Sequence, residues 1–171
     1  SRNRIEEEEE RHHDAMANLT DRPPTLEDYL RSQLAWFDLD PPLRAMCERL
    51  IYNLDSNGYL TTKNWLDILG QEATPSDVAL AEQALKVIQK LDPPGVGARD
   101  LQECLLLQLT PGMPYYEELR TLISNHLEDI TQNRLPAIAK KTGYRMETIQ
   151  AALRELRKLN PKPGADFQEE F

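Results

Sequence analysis

The stretch "LDPPGVGARDLQECLLLQL", Leu91–Leu109, decides how the rest of the chain is read. Two prolines and two glycines precede a cation, an acid and an apolar run. One reading is a loop that cradles phosphate, and it fails on context. A dinucleotide fingerprint needs a strand before its glycines and a third glycine after them, and a P-loop needs Lys then Ser or Thr where this chain has Ala98 and Arg99. The other reading is a hinge between two helices, and it accounts for each residue. Leu91 closes one helix, and Pro93 and Pro94 forbid its continuation. Pro94–Gly95 suits a type II turn. Gly97 serves as the N-cap of a helix over Ala98–Leu109, with Asp100 in the first turn against the positive helix end. Leu101, Cys104, Leu105 and Leu109 form the inner stripe. Leu106 and Leu107 make the helix apolar nearly all round, so it is central to the core, or half core and half interface.

Outward on the N-terminal side the periodicity stays helical. Thr25 with Asp28 resembles a capping box before the stripe Leu26, Tyr29, Leu30, Leu34 and Phe37. A second helix opens near Pro42 and buries Leu43, Met46, Cys47, Leu50, Ile51 and Leu54. A short helix around Trp65–Leu69 stops at Gly70. Thr74–Pro75–Ser76–Asp77 starts another, with Val78, Ala81, Leu85, Ile88 and Leu91 on one face. Beyond the hinge a helix is expected over Tyr115–Ile130. No segment alternates with period two, so the fold class is all-α.

The last stretch, "LPAIAKKTGYRMETIQAALREL" (Leu135–Leu156), has helix-turn-helix spacing. Ala139 is small where two helices must approach, and Gly143 takes the turn with positive φ. Arg145, Gln150 and Arg154 mark the exposed side of the second helix, with Lys140, Lys141 and Arg157 nearby. These five cations suit phosphates or an acidic protein surface equally. Base readout wants Asn, Gln or Arg at successive exposed positions, and Met146 and Ala152 do not help.

Charge divides the chain. Residues 1–21 carry seven acids and three bases, residues 22–130 seventeen acids and nine bases, and residues 131–165 eight bases and two acids. The block of five glutamates in 1–24 repels itself and reads as a disordered linker, with His12–His13–Asp14 a solvated cluster within it. The net charge of −9 argues against wrapping nucleic acid with the whole surface. Cys47 and Cys104 stand singly in apolar patterns, so they read as small core residues in a reducing, cytoplasmic setting. No apolar run is long enough to span a membrane.

"NLDSNGYLTTKN" (Asn53–Asn64) imitates a calcium loop, but its twelfth position is Asn64 where a bidentate Glu belongs, and Asn53 stands first in place of Asp. It reads as an Asn-Gly turn. Neither a nucleophile–base pair nor a metal constellation is legible, so no enzyme, cofactor or metal is expected.

Leu91–Leu109 resembles the most characteristic segment of the core-binding domain of bacterial sigma-54 transcription factors. "TLEDYLRSQL" (Thr25–Leu34), "IYNLDSNGYL" (Ile51–Leu60) and "LNPKPG" (Leu159–Gly164) resemble that family in order and spacing, over about 140 of 171 residues. The resemblance implies a module that docks a promoter-specificity factor on core RNA polymerase, on its large subunits at the β flap region. It implies that promoter DNA with GG and GC elements is read only within the full-length factor. It also implies that an ATP-hydrolysing activator acts through an N-terminal region not included here. As contacts for polymerase we expect Pro93, Pro94, Gly95, Val96, Gly97, Arg99 and Asp100, with Arg99 reaching outward. The expected organisation is an acidic linker over 1–24, a helical subdomain over 25–110, a helix-turn-helix-like subdomain over 111–165 joined at "TPGMP", and the start of a linker over 166–171. The rival is a stand-alone helix-turn-helix DNA-binding regulator, which should be basic overall. A calcium sensor is opposed by Asn64.

Overall fold

The computed structural model describes residues 24–167. The acidic block and the His12–His13–Asp14 cluster lie outside the described residues, as do residues 168–171. Among the described residues the chain forms nine α-helices, one 3-10 turn and no strand. The fold is all-α, as the periodicity indicates.

Helix α1 (Leu26–Leu34) starts at a complete capping box: Thr25 Oγ1 accepts the Asp28 amide at 3.0 Å, and Asp28 Oδ2 accepts the Thr25 amide at 3.4 Å. Helix α2 (Pro41–Tyr52) begins on two prolines, whose missing amides are orphans at a helix start anyway. Helix α3 (Trp65–Leu69) ends at Gly70, which has φ +101°. Helix α4 (Pro75–Ile88) has a second capping box, Thr74 with Asp77. Leu30, Leu34, Cys47, Leu50, Ile51, Ala81, Ala84 and Ile88 are sealed between α1, α2 and α4. Each such leucine or isoleucine contributes roughly 1.5–3 kcal/mol by leaving water.

Two boundaries differ from the sequence expectation. Helix α5 spans Leu101–Leu107, and its N-cap is Asp100, whose carboxylate accepts the Glu103 amide at 2.9 Å. Gly97 is not a cap. It sits at φ +82° inside the preceding turn, and a carboxylate closer to the helix satisfies the free amide better. The expected helix over Tyr115–Ile130 is two helices, α6 (Tyr116–Asn125) and α7 (Leu127–Thr131). They break at His126, whose φ of −133° is not helical.

Helices α8 (Leu135–Thr142) and α9 (Met146–Leu156) form the helix-turn-helix, turning at Gly143 with φ +78°. A second core joins Leu119, Leu122, Ile123, Ile138, Ile149, Ala152 and Leu153 to Leu105 of α5. Helix α5 is thus the strut between the halves: it carries Leu105 into the second core, while the turn before it carries Val96 into the first.

Candidate docking site

The Leu91–Leu109 hinge is folded inward. Gly95, Val96, Gly97 and Ala98 are buried, Pro93 is half-buried, and Pro94 and Asp100 are exposed. Val96 N donates to Pro93 O at 3.2 Å with Gly95 at φ +94°, the turn expected around Pro94–Gly95. The Asp92–Pro93 bond is cis. A Cβ on Gly95 would stand 2.8 Å from Cys104 Sγ, and one on Gly97 3.0 Å from Ile88 Cγ2. Both glycines are required twice over, by backbone sign and by space.

Two other turns close against this one. Gly97 N donates to Gly58 O at 2.8 Å and Leu60 N to Ala98 O at 2.9 Å, so the Asn53–Asn64 loop lies along the hinge. Gly164 N donates to Asn57 O at 2.9 Å, and the Tyr59 hydroxyl donates to Pro161 O. Burial drives the Tyr59 hydroxyl pKa upward, so it stays a proton donor. Asp55 Oδ1 accepts the amides of Asn57 and Tyr59, and Asn64 Oδ1 accepts the Leu66 amide. The side chains of Asp55 and Asn64 are committed to shaping their own backbone.

Glutamine amides clip the turns in place. Gln33 Nε2 donates to Asp92 O at 2.5 Å, and Gln33 Oε1 accepts Asp92 N at 2.8 Å. Gln108 does the same to Asn160, at 2.7 Å and 2.8 Å. Asp92 and Asn160 each precede a proline, and a residue before proline is pushed toward extended backbone. Its amide and carbonyl then have no helical partner, and one glutamine side chain satisfies both. The pre-proline position was the available signal, and sequence reasoning passed over it together with Tyr59, Trp65 and Gly164.

Arg99 does not reach outward. Its guanidinium lies over the Trp65 ring at 5.2 Å, and Nη2 donates to Thr62 O at 3.1 Å and Lys63 O at 3.0 Å. Glu103 holds the Arg99 amide at 2.7 Å, and Gln89 bridges Glu103 and the Gly97 carbonyl. The exposed carboxylate of Asp100 is 3.6 Å from Lys63. Burial pushes the Cys47 thiol up to about 11 and raises that of Cys104, so both stay protonated as packing groups.

The five basic residues have different surroundings. Lys141 is 2.8 Å from the buried carboxylate of Asp129, which also has Arg134 at 3.8 Å. Arg145 lies 3.7 Å from Glu147. Lys140 is exposed near the end of α8. Arg154 and Arg157 come together with Gln150, Leu135 and Leu153 around an open groove of about 360 Å³ on α9.

A protein-family model described as "Sigma-54 factor, core binding domain" matches residues 15–171. The chain is 33% identical to the RNA polymerase sigma-54 factor of Escherichia coli (strain K12) over 149 residues, covering 84% of this chain and 31% of that protein. It is 37% identical to that of Caulobacter vibrioides over 153 residues, 89% of this chain and 30% of the relative. It is 33% identical to that of Bacillus subtilis (strain 168) over 156 residues, 90% and 35%. The chain therefore spans about a third of the length of these curated relatives. With the family match running through the hinge, both turns that close on it and the helix-turn-helix, the chain belongs to the sigma-54 factor core binding domain family.

Proposed function

We propose that this chain is the module that holds a sigma-54-type initiation factor on core RNA polymerase. The observation that carries this reading is a convergence. The four segments that resemble the family meet in space: Gln33 of the first clips Asp92 of the hinge, Gly58 accepts the Gly97 amide, and Gly164 donates to Asn57. Four resembling segments that meet at one node of the fold fit a rigid body that presents its surroundings to a fixed partner. The module carries out no reaction of its own. Pro93, Pro94, Gly95, Val96 and Gly97 act on docking by setting the angle between α4 and α5, and Asp100 and Pro94 are the hinge residues open to a partner.

The large subunits of polymerase, at the β flap region, are the proposed contact, and the cytoplasm is the proposed compartment; among the described residues no helix is long and apolar enough to cross a membrane. Promoter selection and activator response belong to the full-length factor. The rival regulator reading is disfavoured by the charge map, since cations gather only around α8 and α9. Titration of purified core polymerase with the chain tests the proposal. A saturable complex that excess full-length factor displaces is expected, and absence of any complex at micromolar concentrations would sink it.

A further inference from the structure

Trp36 is 89% exposed, the most exposed of the large apolar side chains among the described residues. It does not hang from a loose loop. Trp36 N donates to Gln33 O and Phe37 N to Leu34 O, each at 3.0 Å, so the chain leaves α1 in a tight turn. Arg44 of α2 reaches across and donates Nη1 to Leu34 O at 3.0 Å and Nη2 to Phe37 O at 3.1 Å. Phe37 and Leu39 pack against the first core on either side of the turn's acidic residue. The backbone of the turn is thereby held, and the indole stands outside it. Nothing in the capping, clamping or packing of this turn uses the ring.

The surroundings define what would cover it. Ala35, Pro41 and Pro42 are exposed beside it and are short or rigid. Asp38 and Asp40 are exposed on the same turn. Four arginines of this half are committed elsewhere: Arg31 pairs with Asp28 and lies over Tyr52, Arg44 is spent on the turn's carbonyls, Arg49 donates to Ile68 O at 2.9 Å, and Arg99 lies over Trp65. The patch is an aromatic knob with an acidic collar. A complementary surface is a protein slot with an apolar floor and a basic rim. The two carboxylates oppose the phosphates of a duplex.

We propose that Trp36 is the anchor by which the α1–α2 corner docks on core RNA polymerase, with Asp38 and Asp40 pairing with cations at the rim of its slot. This rests on the polymerase reading above and names the surface that serves it. A tryptophan on a held turn suits the role, because interface energy concentrates in a few aromatic residues and the backbone that carries it needs no ordering on binding.

The test is the affinity of the 171-residue chain and three variants, Trp36→Ala, Trp36→Phe and the double Asp38→Lys/Asp40→Lys, for cognate core polymerase, with urea denaturation of each. Trp36→Ala should bind at least about tenfold more weakly with an unchanged unfolding midpoint, Trp36→Phe should fall between it and the parent, and the double variant should lose both affinity and much of the salt dependence. A smaller loss in Trp36→Ala, with the parent still binding, overturns the anchor and leaves the polymerase reading standing. Failure of the parent to bind removes both. Sedimentation of the free chain covers the other occupant: a dimer that Trp36→Ala abolishes would assign the ring to a second copy and overturn the proposal.

Discussion

A Cβ built on Gly164 would stand 2.7 Å from the backbone nitrogen of Gly58 and 2.7 Å from the carbonyl oxygen of Ser56. Both obstacles are backbone, so no rotamer relieves them. Gly164→Ala should therefore push the C-terminal turn off the Asn53–Asn64 loop and cost about 1–3 kcal/mol. Urea denaturation measures it, with Gly112→Ala as the control, since a Cβ there meets nothing within 4 Å. Equal losses in both variants would mean the two turns do not support each other.

Gly97→Val should cost more than Gly97→Ala. At φ +82° any side chain is strained by about 1–2 kcal/mol. The added methyls then meet Ile88 Cγ2 and Gln89 Cγ, already 3.0 and 3.3 Å from the first carbon. Amide exchange at Gly97 and Leu60 should accelerate, because those two hydrogen bonds join the hinge to its neighbouring loop. Native-state hydrogen exchange checks this, and unaltered protection at Leu60 would contradict it.

Arg99→Ala separates an internal role from an outward one. Loss of two carbonyl contacts and a cation–π stack should destabilise the fold by about 1–3 kcal/mol. Arg99→Lys keeps the charge but not the flat guanidinium over Trp65, so it should recover only part. Once corrected for the folded fraction, polymerase affinity should match the parent. A stable Arg99→Ala that binds poorly would place the guanidinium in the interface instead.

Asp129 should govern the acid limit of the second core. The hydrogen bond from Lys141, with the charges of Lys141 and Arg134, holds its carboxyl below the ordinary value. A depressed pKa contributes stability that is present above the ordinary value of about 4 and is lost as pH falls through the folded value. Lys141→Met should raise the Asp129 pKa, lower stability near neutrality, where the contribution is fully present, and leave the two proteins alike once the carboxyl is protonated in both states. Circular dichroism against pH, with and without the substitution, reads the shift directly.

DNA binding by the chain should be weak, steeply salt-dependent and indifferent to sequence, and it should reside in residues 131–165. Eight cations against two acids supply phosphate contacts there, while Arg154 and Arg157 share one groove. Replacing both by Ala should lower the slope of log affinity against log salt by roughly two. Preference for a promoter duplex beyond about tenfold would point to base readout, since specific binders discriminate by ~10³ or more.

The helices were legible because their signals are local. Thr25 with Asp28 and Thr74 with Asp77 close boxes within one turn, the leucine spacing of α1, α2 and α4 repeats with the helix, and Gly143 must turn with positive φ wherever its chain goes. The hinge was recognisable for the same reason: two prolines stop a helix in any context. What depended on tertiary structure is everything that residues distant in sequence do to each other. Asp100 displaced Gly97 as the cap, and the long helix expected over Tyr115–Ile130 broke at His126. Arg99 is a charge that sequence alone sends toward water. It turns inward because Trp65 and the carbonyls of Thr62 and Lys63 offer it a face and two acceptors. Trp36, of which the periodicity says nothing, stands outside on a turn whose carbonyls Arg44 holds. A side chain's preference is a free energy of transfer, which composition supplies. Its destination depends on which partners the fold brings within about 3 Å, and only packing across the chain decides that.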